Sequence, residues 1–505
     1  MLAAYVKKIL SSRVYELAVE SPLLEAPNLS RRLGARVYLK REDLQPAFSF
    51  KVRGAYNKIA QLSRADGARG VIAASAGNHA QGVAMAAQKL GIRATIVMGR
   101  NTPEIKVRAV RALAARVILR GDTYDDAAAY ALQLGKEEDF VFIHPYDDVD
   151  VIAGQGTIGM EILNQHGKDL HAVFVPVGGG GLIAGVAAYI KYLKPSTRVI
   201  GVEAQGSDCL RAALIAKRRV RLPGDRLDLF ADGVSVSQVG KEPFKIARNY
   251  VDEVIVATTD EICAAIKDVF DDTRILAEPA GALAIAGMKK YVEREHPADV
   301  DLVSIVSGAN VNFDRLRHIS ERAEVGEQRE ALFGVTIPEQ PGSFRRLCRT
   351  LGKRGVTEFN YRFGDSVDAR VFLGIQITDE SDREPIVKTL LDAGFGVDDM
   401  TDNEMAKLHV RHMVGGSAMR AEDEILYRFE FPERSGALLQ FLLGLGSDWN
   451  ITLFHYRNHG AAWGRVLVGF EGRRRDRKSL SEYLDKIGYR YWEETENPAY
   501  RMFLR

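Results

Sequence analysis

Through about residue 320, short apolar runs rich in β-branched residues alternate with longer segments of helical period. VYLK (37–40), VIAAS (71–75), ATIVM (94–98), RVILR (116–120), AVFVPV (172–177), RVIGVEA (198–204) and LVSIVS (302–307) read as buried strands. Between them AQGVAMAAQKLG (80–91) and PEIKVRAVRALAA (103–115) read as helices, with Pro103 suited to a first turn. Such alternation predicts an α/β unit over 1–320, its mostly parallel sheet covered by helices on both faces. The uncharged stretch 172–190 nearly has the length of a membrane span, but four consecutive glycines divide it. It reads as strand, loop and helix.

The pattern then changes. ERAEVGEQRE (321–330) is charged and poor in apolar residues, as expected of a linker. Beyond it the chain repeats: IPEQPGSF (337–344) returns as FPERSGAL (431–438), FNYR (359–362) as FHYR (454–457), and VFLGIQ (371–376) as VLVGFE (466–471). The offset stays at 94 to 95 residues. A constant offset implies two copies of one small α+β module, placed at 331–412 and 425–505, each reading strand, turn, helix, strand, strand.

Composition narrows the function. The 505 residues exceed one ordinary domain, and 46% hydrophobic with 27% charged residues is the mix of a globular protein with a full core. A net charge of +2, from 69 basic and 67 acidic side chains, gives no reason to expect nucleic acid or an anionic membrane as partner. Three scattered cysteines suggest neither a disulfide framework nor a zinc cluster. With Lys7, Lys8, Glu16 and Glu20 where a signal peptide needs an apolar run, cytoplasm is the expected compartment.

Four motifs carry candidate chemistry. SFKVRGA (49–55) offers Lys51, flanked by Phe50 and Val52; a nucleophilic lysine must be kept partly unprotonated, and by itself this motif is a weak signal. SAGNHAQG (75–82) joins a strand to a helix, where α/β proteins bind ligands. Its Asn78 has a donor and an acceptor for an aromatic hydroxylate, and main-chain N–H groups from Ser75 to His79 can hold a carboxylate. His79 is better read as a structural hydrogen bonder. GGGGL (178–182) is the strongest of the four. Glycines between a buried strand and a helix let N–H groups surround a phosphate at the helix's positive end. VSGAN (306–310) puts Ser307 at the end of a strand, on the sheet edge where the other motifs are expected; spacing alone leaves a structural serine equally open. GQGTIG (154–159) satisfies the dinucleotide pattern G-x-G-x-x-G, yet it follows a poor strand and lacks an acid twenty residues on. It reads as a loop starting a helix, without NAD.

In this order the four motifs resemble the fold-type-II pyridoxal-phosphate enzymes (tryptophan synthase β-like). The tail segments TEFNYR, FPERSGALLQFL and ITLFHYRNHGAAWGRV resemble the paired ACT-like regulatory modules of biosynthetic threonine dehydratases. The resemblance implies pyridoxal 5′-phosphate joined to Lys51, with Asn78 on its 3′-oxygen and Gly178, Gly179, Gly180, Gly181 and Leu182 on its phosphate. Ser307 would meet the ring nitrogen. Lys51 and Ser75 become the candidate catalytic residues, and Ser75, Ala76 and Gly77 the holders of the substrate carboxylate. A hydroxyl at the ring nitrogen cannot keep it protonated as an aspartate would, which favours prompt β-elimination over transamination. L-Threonine is the implied substrate, isoleucine the inhibitor, valine a candidate activator, and a homotetramer the implied assembly. Serine racemases are near relatives. Their second proton donor is a serine where this chain has Ala76, and their metal loop needs a carboxylate where GVEAQGSDC has Cys209, so no dedicated metal is expected. The alternatives are a dehydratase preferring serine and a non-catalytic amino-acid sensor with a decayed site.

Overall fold

The computed structural model describes residues 1–505 except 101, 122–123, 224–226, 228–229, 341, 363–366, 404–405, 408–409, 413–423, 433–436, 446–448, 458–462, 472–476 and 498–505. Ten strands belong to the first unit, Met1–Ala323. They are β1 (Leu23–Glu25), β2 (Arg36–Arg41), β3 (Val71–Ala74), β4 (Ala94–Met98), β5 (Arg116–Leu119), β6 (Val141–Phe142), β7 (Ala172–Pro176), β8 (Arg198–Ala204), β9 (Glu253–Ala257) and β10 (Asp301–Val306). They form two sheets where one was expected. The larger runs β1-β2-β10-β7-β8-β9, and the smaller runs β5-β4-β3-β6. Every pairing is parallel except β1 with β2. Strands β3, β4, β7 and β10 are buried along their whole length, which is why they read as continuous apolar runs rather than alternating ones. The uncharged stretch 172–190 divides at its glycines into β7 and the helix Gly181–Leu193, and no described helix is long and apolar enough to cross a membrane.

GQGTIG does not start a helix. It lies inside the helix Val149–His166, where its glycines form a close-packing face rather than a phosphate loop. A Cβ on Gly154 would stand 2.7 Å from Gly54 Cα, and one on Gly159 would stand 3.3 Å from Val186 Cα. The helix thus presses against both the helix Lys51–Ala60 and the helix Gly181–Leu193.

One buried ion cluster ties these elements together. The Arg53 guanidinium, two residues beyond Lys51, donates to both carboxylate oxygens of Glu42 (2.7 Å each) and to Glu161 (2.5 and 3.0 Å). Lys40 pairs with Glu161 at 2.6 Å and donates to the carbonyl of Ser21 and to Gln165. Ser21 and Tyr15 donate their hydroxyls to Glu42 and Glu161. The four charges balance.

The second unit, Glu324–Arg505, holds one antiparallel sheet of eight strands. These are β11 (Glu330–Pro338), β12 (Val356–Arg362), β13 (Asp368–Gln376), β14 (Gly396–Asp399), β15 (Glu424–Pro432), β16 (Ile451–Arg457), β17 (Trp463–Glu471) and β18 (Arg490–Glu493), in the order β14-β11-β13-β12-β16-β17-β15-β18. Each half is a βαββαβ module, so the reading of three strands and one helix omitted a second helix and an edge strand in each copy. The matched segments FNYR and FHYR lie on β12 and β16 and pair with each other, Phe359 opposite Tyr456 and Tyr361 opposite Phe454, about a local two-fold at Asn360 and His455. Side chains repeat too. Thr357 and Thr452 donate to Glu330 and Glu424, while Leu332 and Leu426 donate their N–H to Thr401 and Thr495 at 3.0 Å. Part of the repeat FPERSGAL (433–436) and the last eight residues of the expected module 425–505 lie outside the described residues.

The expected linker 321–330 is mostly regular structure. Its first six residues finish the helix Leu316–Gly326, and Glu330 already opens β11. The helix continues because Ile319, Ala323 and Val325 supply a buried face that a count of apolar residues underestimates.

Glu161→Gln should destabilise the first unit by about 3–5 kcal/mol, since Arg53 and Lys40 would then share one carboxylate in a buried site. Urea unfolding followed by circular dichroism measures it.

Candidate active site

Ser307 and Lys51 are brought together by main-chain pairing between 48–50 and 307–309. Phe50 donates its N–H to the Ser307 carbonyl (3.2 Å), Ala309 donates to the Phe48 carbonyl (2.9 Å), and Ser49 bridges Gly308. Lys51 is the first residue of its helix, and its Nζ donates to the Gly233 carbonyl at 3.1 Å. Burial lowers its pKa, opposed by the negative charges of Glu278 and then Asp232. That is what a nucleophilic or basic lysine requires.

The segment after β3 approaches from the smaller sheet. Gly82 allows it: a Cβ there would lie 3.2 Å from the Lys51 carbonyl oxygen and from Val52. Asn78 opens the helix Asn78–Leu90, donates from Nδ2 to Glu278 Oε1 (2.6 Å), and accepts at Oδ1 from Asn310 Nδ2 (2.8 Å). The Ser75 N–H is taken by the Val97 carbonyl (3.1 Å), and Ser75 Oγ accepts from the Gly77 N–H (3.2 Å). Ser75 can therefore reach a substrate through its hydroxyl proton but not through its amide. His79 is buried and bonded to the Ile143 carbonyl at 2.9 Å; burial brings its pKa down to about 3, so it is a neutral donor there.

The glycines of 178–182 sit between β7 and the helix Gly181–Leu193. Gly180 has φ +91°, open to glycine at little cost. A Cβ on Gly179 or Gly181 would run into Tyr146, and one on Gly178 would lie 2.8 Å from Val234 Cα, beside the Gly233 carbonyl that holds Lys51. Gly178, Gly179 and Gly180 donate no main-chain hydrogen bond to a described residue, so their N–H groups are free at a helix N-terminus. Ser307, at the end of β10, donates to the Ala280 carbonyl at 3.1 Å, a hydroxyl that rotation can redirect.

A buried amine of lowered pKa, free N–H groups at a glycine turn, a rotatable hydroxyl and an anchored amide are the donor set that pyridoxal phosphate needs. The residues fit that cofactor. The motifs converge from the C-terminal ends of strands in two sheets, β3 in one and β7 and β10 in the other, rather than along one edge.

A family profile described as pyridoxal-phosphate dependent enzyme matches residues 15–308, and that of the C-terminal regulatory domain of threonine dehydratase matches twice, at 321–410 and 415–504. The biosynthetic L-threonine dehydratase of Burkholderia multivorans is 53% identical over 503 residues, covering 99% of both chains. The chain belongs to the biosynthetic threonine dehydratase family. Among solved structures, threonine deaminase isoform 2 from Solanum lycopersicum is 50% identical with a TM-score of 0.62, over 64% of this chain and 93% of that one. Serine racemase from Dictyostelium discoideum matches at 30% identity with a TM-score of 0.57, over 61% of this chain and 99% of that one. Pyridoxal phosphate is thus the cofactor and dehydration of threonine the activity.

Sequence reading passed over several participants. Glu278 carries no motif; it precedes Pro279 as an ordinary helix start, and only its contacts reveal it. Asn310 stood inside a quoted motif without a role, and Gly233 gave no signal. Glu203, the carboxylate of GVEAQGSDC, is buried with its carboxyl pushed up to about 8, and its two oxygens accept from the N–H groups of Leu210 (2.8 Å) and Arg211 (2.9 Å).

His79 yields a pH prediction. Unfolded, its imidazole protonates near 6.5; folded, it stays neutral to about 3. Its contribution is complete above 6.5 and is lost as pH falls through that interval, at up to about 1.4 kcal/mol per pH unit. Unfolding free energies at pH 7, 6 and 5 should fall less steeply for His79→Gln than for the unaltered chain.

Proposed function

We propose that Lys51 is the cofactor lysine and general base of L-threonine conversion to 2-oxobutanoate and ammonia, with isoleucine as feedback inhibitor. The observation that carries this is a partly buried amine of depressed pKa, near a free-N–H glycine turn, in a chain matching its dehydratase relatives over 99% of its length. Pyridoxal phosphate supplies an electron sink for the pair left on Cα. Asn78 would orient its 3′-oxygen, Gly178 to Leu182 would hold its phosphate, and Ser307 would face its ring nitrogen. Ala76 and Gly77, with the Ser75 hydroxyl, orient the substrate carboxylate. The Lys51 amine then takes the Cα proton onto Nζ, and the β-hydroxyl leaves as water once protonated. Water added to the released enamine returns that molecule, giving 2-oxobutanoate and ammonia in balance with threonine. Serine lacks one methyl, a difference of about 1–3 kcal/mol in a pocket, so threonine over serine is a matter of degree.

The effector belongs to the repeated modules. A shallow cleft lies between the turn after β11 and the start of β16, lined by Glu339, Ser343, Arg345, Leu442 and Trp449 among others. A guanidinium, a carboxylate and an apolar wall suit a branched amino-acid zwitterion. Valine as activator, a homotetramer and a cytoplasmic setting complete the reading; the last accords with three free, buried cysteines.

The decisive assay follows 2-oxobutanoate from threonine and its suppression by isoleucine. No product, or product undiminished in Lys51→Ala, refutes the catalytic part. Arg345→Ala should raise the isoleucine concentration for half-inhibition about 10-fold or more while leaving uninhibited turnover unchanged. Unaltered inhibition would place the effector elsewhere.

A further inference from the structure

Glu278 is a buried carboxylate in the active site to which the mechanism gives no role. It caps the helix Pro279–Glu295, and its main chain is fixed on both sides: its N–H donates to the Gly308 carbonyl (3.1 Å), and its carbonyl accepts from Gly281 (2.7 Å) and Ala282 (3.1 Å). The side chain has no comparable freedom. A Cβ on Gly308 would collide with Oε1, so the glycine of VSGAN clears the space that this carboxylate occupies. Oε1 accepts the short bond from Asn78 Nδ2, while Asn310, itself donating to the Ala47 carbonyl at 2.8 Å, takes the Asn78 oxygen. An asparagine amide gripped at both ends cannot turn over. Its second N–H, rather than its oxygen, is left to face a ligand.

The charges around Lys51 isolate Glu278 further. Asp232, the other carboxylate acting on Lys51, is paired with Lys106 at 2.8 Å and with Arg315 at 3.8 Å. His79 is neutral and held by Ile143. Among the described residues Glu278 forms no ion pair within 4.0 Å, and Lys51 exerts the largest stabilising effect on its charge. Burial raises its carboxyl to about 7 against the opposing pull of Lys51, the Asn78 N–H and Lys106, so near neutrality its charge depends on those groups.

We propose that Glu278 is a positioning residue of this active site: its carboxylate turns an Asn78 N–H toward the cofactor's 3′-oxygen and holds the Lys51 nitrogen protonated while that nitrogen is joined to the cofactor. The inference rests on the reading of Lys51 as the cofactor lysine. A carboxylate that accepts from Asn78 and faces a cation is placed to favour the protonated linkage. A neutral amide of the same shape would not be, and it could also reverse the Asn78 amide by donating to its oxygen.

The test is the visible absorption spectrum of the holoenzyme as a function of pH, which a residue of purely structural importance would not alter. In the unaltered enzyme the long-wavelength band of the protonated linkage should persist from about pH 6 to pH 9. Glu278→Gln should keep bound pyridoxal phosphate but bring the loss of that band down by at least about one pH unit, into the measured range. Glu278→Asp keeps the charge yet withdraws it from Asn78, and should shift the band in the same direction by less. If whichever variant folds retains the unaltered spectrum throughout, the proposal is overturned. Lys51→Ala separates the two layers of inference: a linkage band persisting in that variant defeats the reading of Lys51 itself, whatever Glu278 does.

Discussion

Everything in the catalytic unit is arranged around a cluster of four buried charges. Moving an ion out of water costs several kcal/mol, and only close pairing with full hydrogen bonding offsets that. Arg53 meets the requirement by spending its donors on Glu42, Glu161, Thr157 and the Val19 carbonyl. Those partners come from the N-terminal segment, the end of β2 and the long helix Val149–His166. None of these elements can shift without pulling a buried charge from its partner. Because Arg53 lies two residues past Lys51 on the same helix, the same constraint sets where Lys51 stands.

Small residues provide the second constraint. The helix carrying Lys51 touches neighbours at Gly54, facing Gly154, and is met at its first turn by Gly82 of the Asn78 helix. Main chains that approach this closely leave no room for rearrangement. The candidate site is consequently formed by helix ends and strand ends packed from both sheets, where the Ser75 and Ser307 hydroxyls can still rotate. In the regulatory unit the equivalent constraint is the local two-fold at Asn360 and His455, which joins two modules into a single sheet and puts the turn of one beside the start of a strand from the other.

Burial also explains how weakly polar surroundings produce strongly tuned groups. Desolvation lowers the pKa of Lys51 and His79 and raises that of Glu278 and Glu203. Glu203 is used up in closing the helix Cys209–Ala216, and His79 in holding a carbonyl. The charge of Lys51 acts on both Glu278 and His79, favouring the ionised carboxylate and the neutral imidazole, so the candidate site couples these groups electrostatically.

Most of the architecture was legible beforehand because fully buried parallel strands leave continuous apolar runs, and because a duplicated module leaves a constant offset. Lys51, Asn78, Gly178 to Leu182 and Ser307 could be singled out as candidates for a related reason: each belongs to a short local motif at the end of a strand or the start of a helix. What failed were readings that depended on distant neighbours. GQGTIG fits a phosphate loop locally, yet helices from elsewhere in the chain require its glycines for packing. The stretch 321–330 reads as a linker until its few apolar residues find a buried face. Strands β1 and β6, three and two residues long, carry too little pattern to be seen alone. The sequence by itself determined the strand and helix periods, the duplicated tail and the local motifs, since these reside in neighbouring residues. Only the tertiary structure decided that there are two sheets, that Arg53 neutralises acids 11 and 108 positions away, and that Glu278 reaches Asn78 across 200 residues, because charge pairing and burial exist only once the chain has folded.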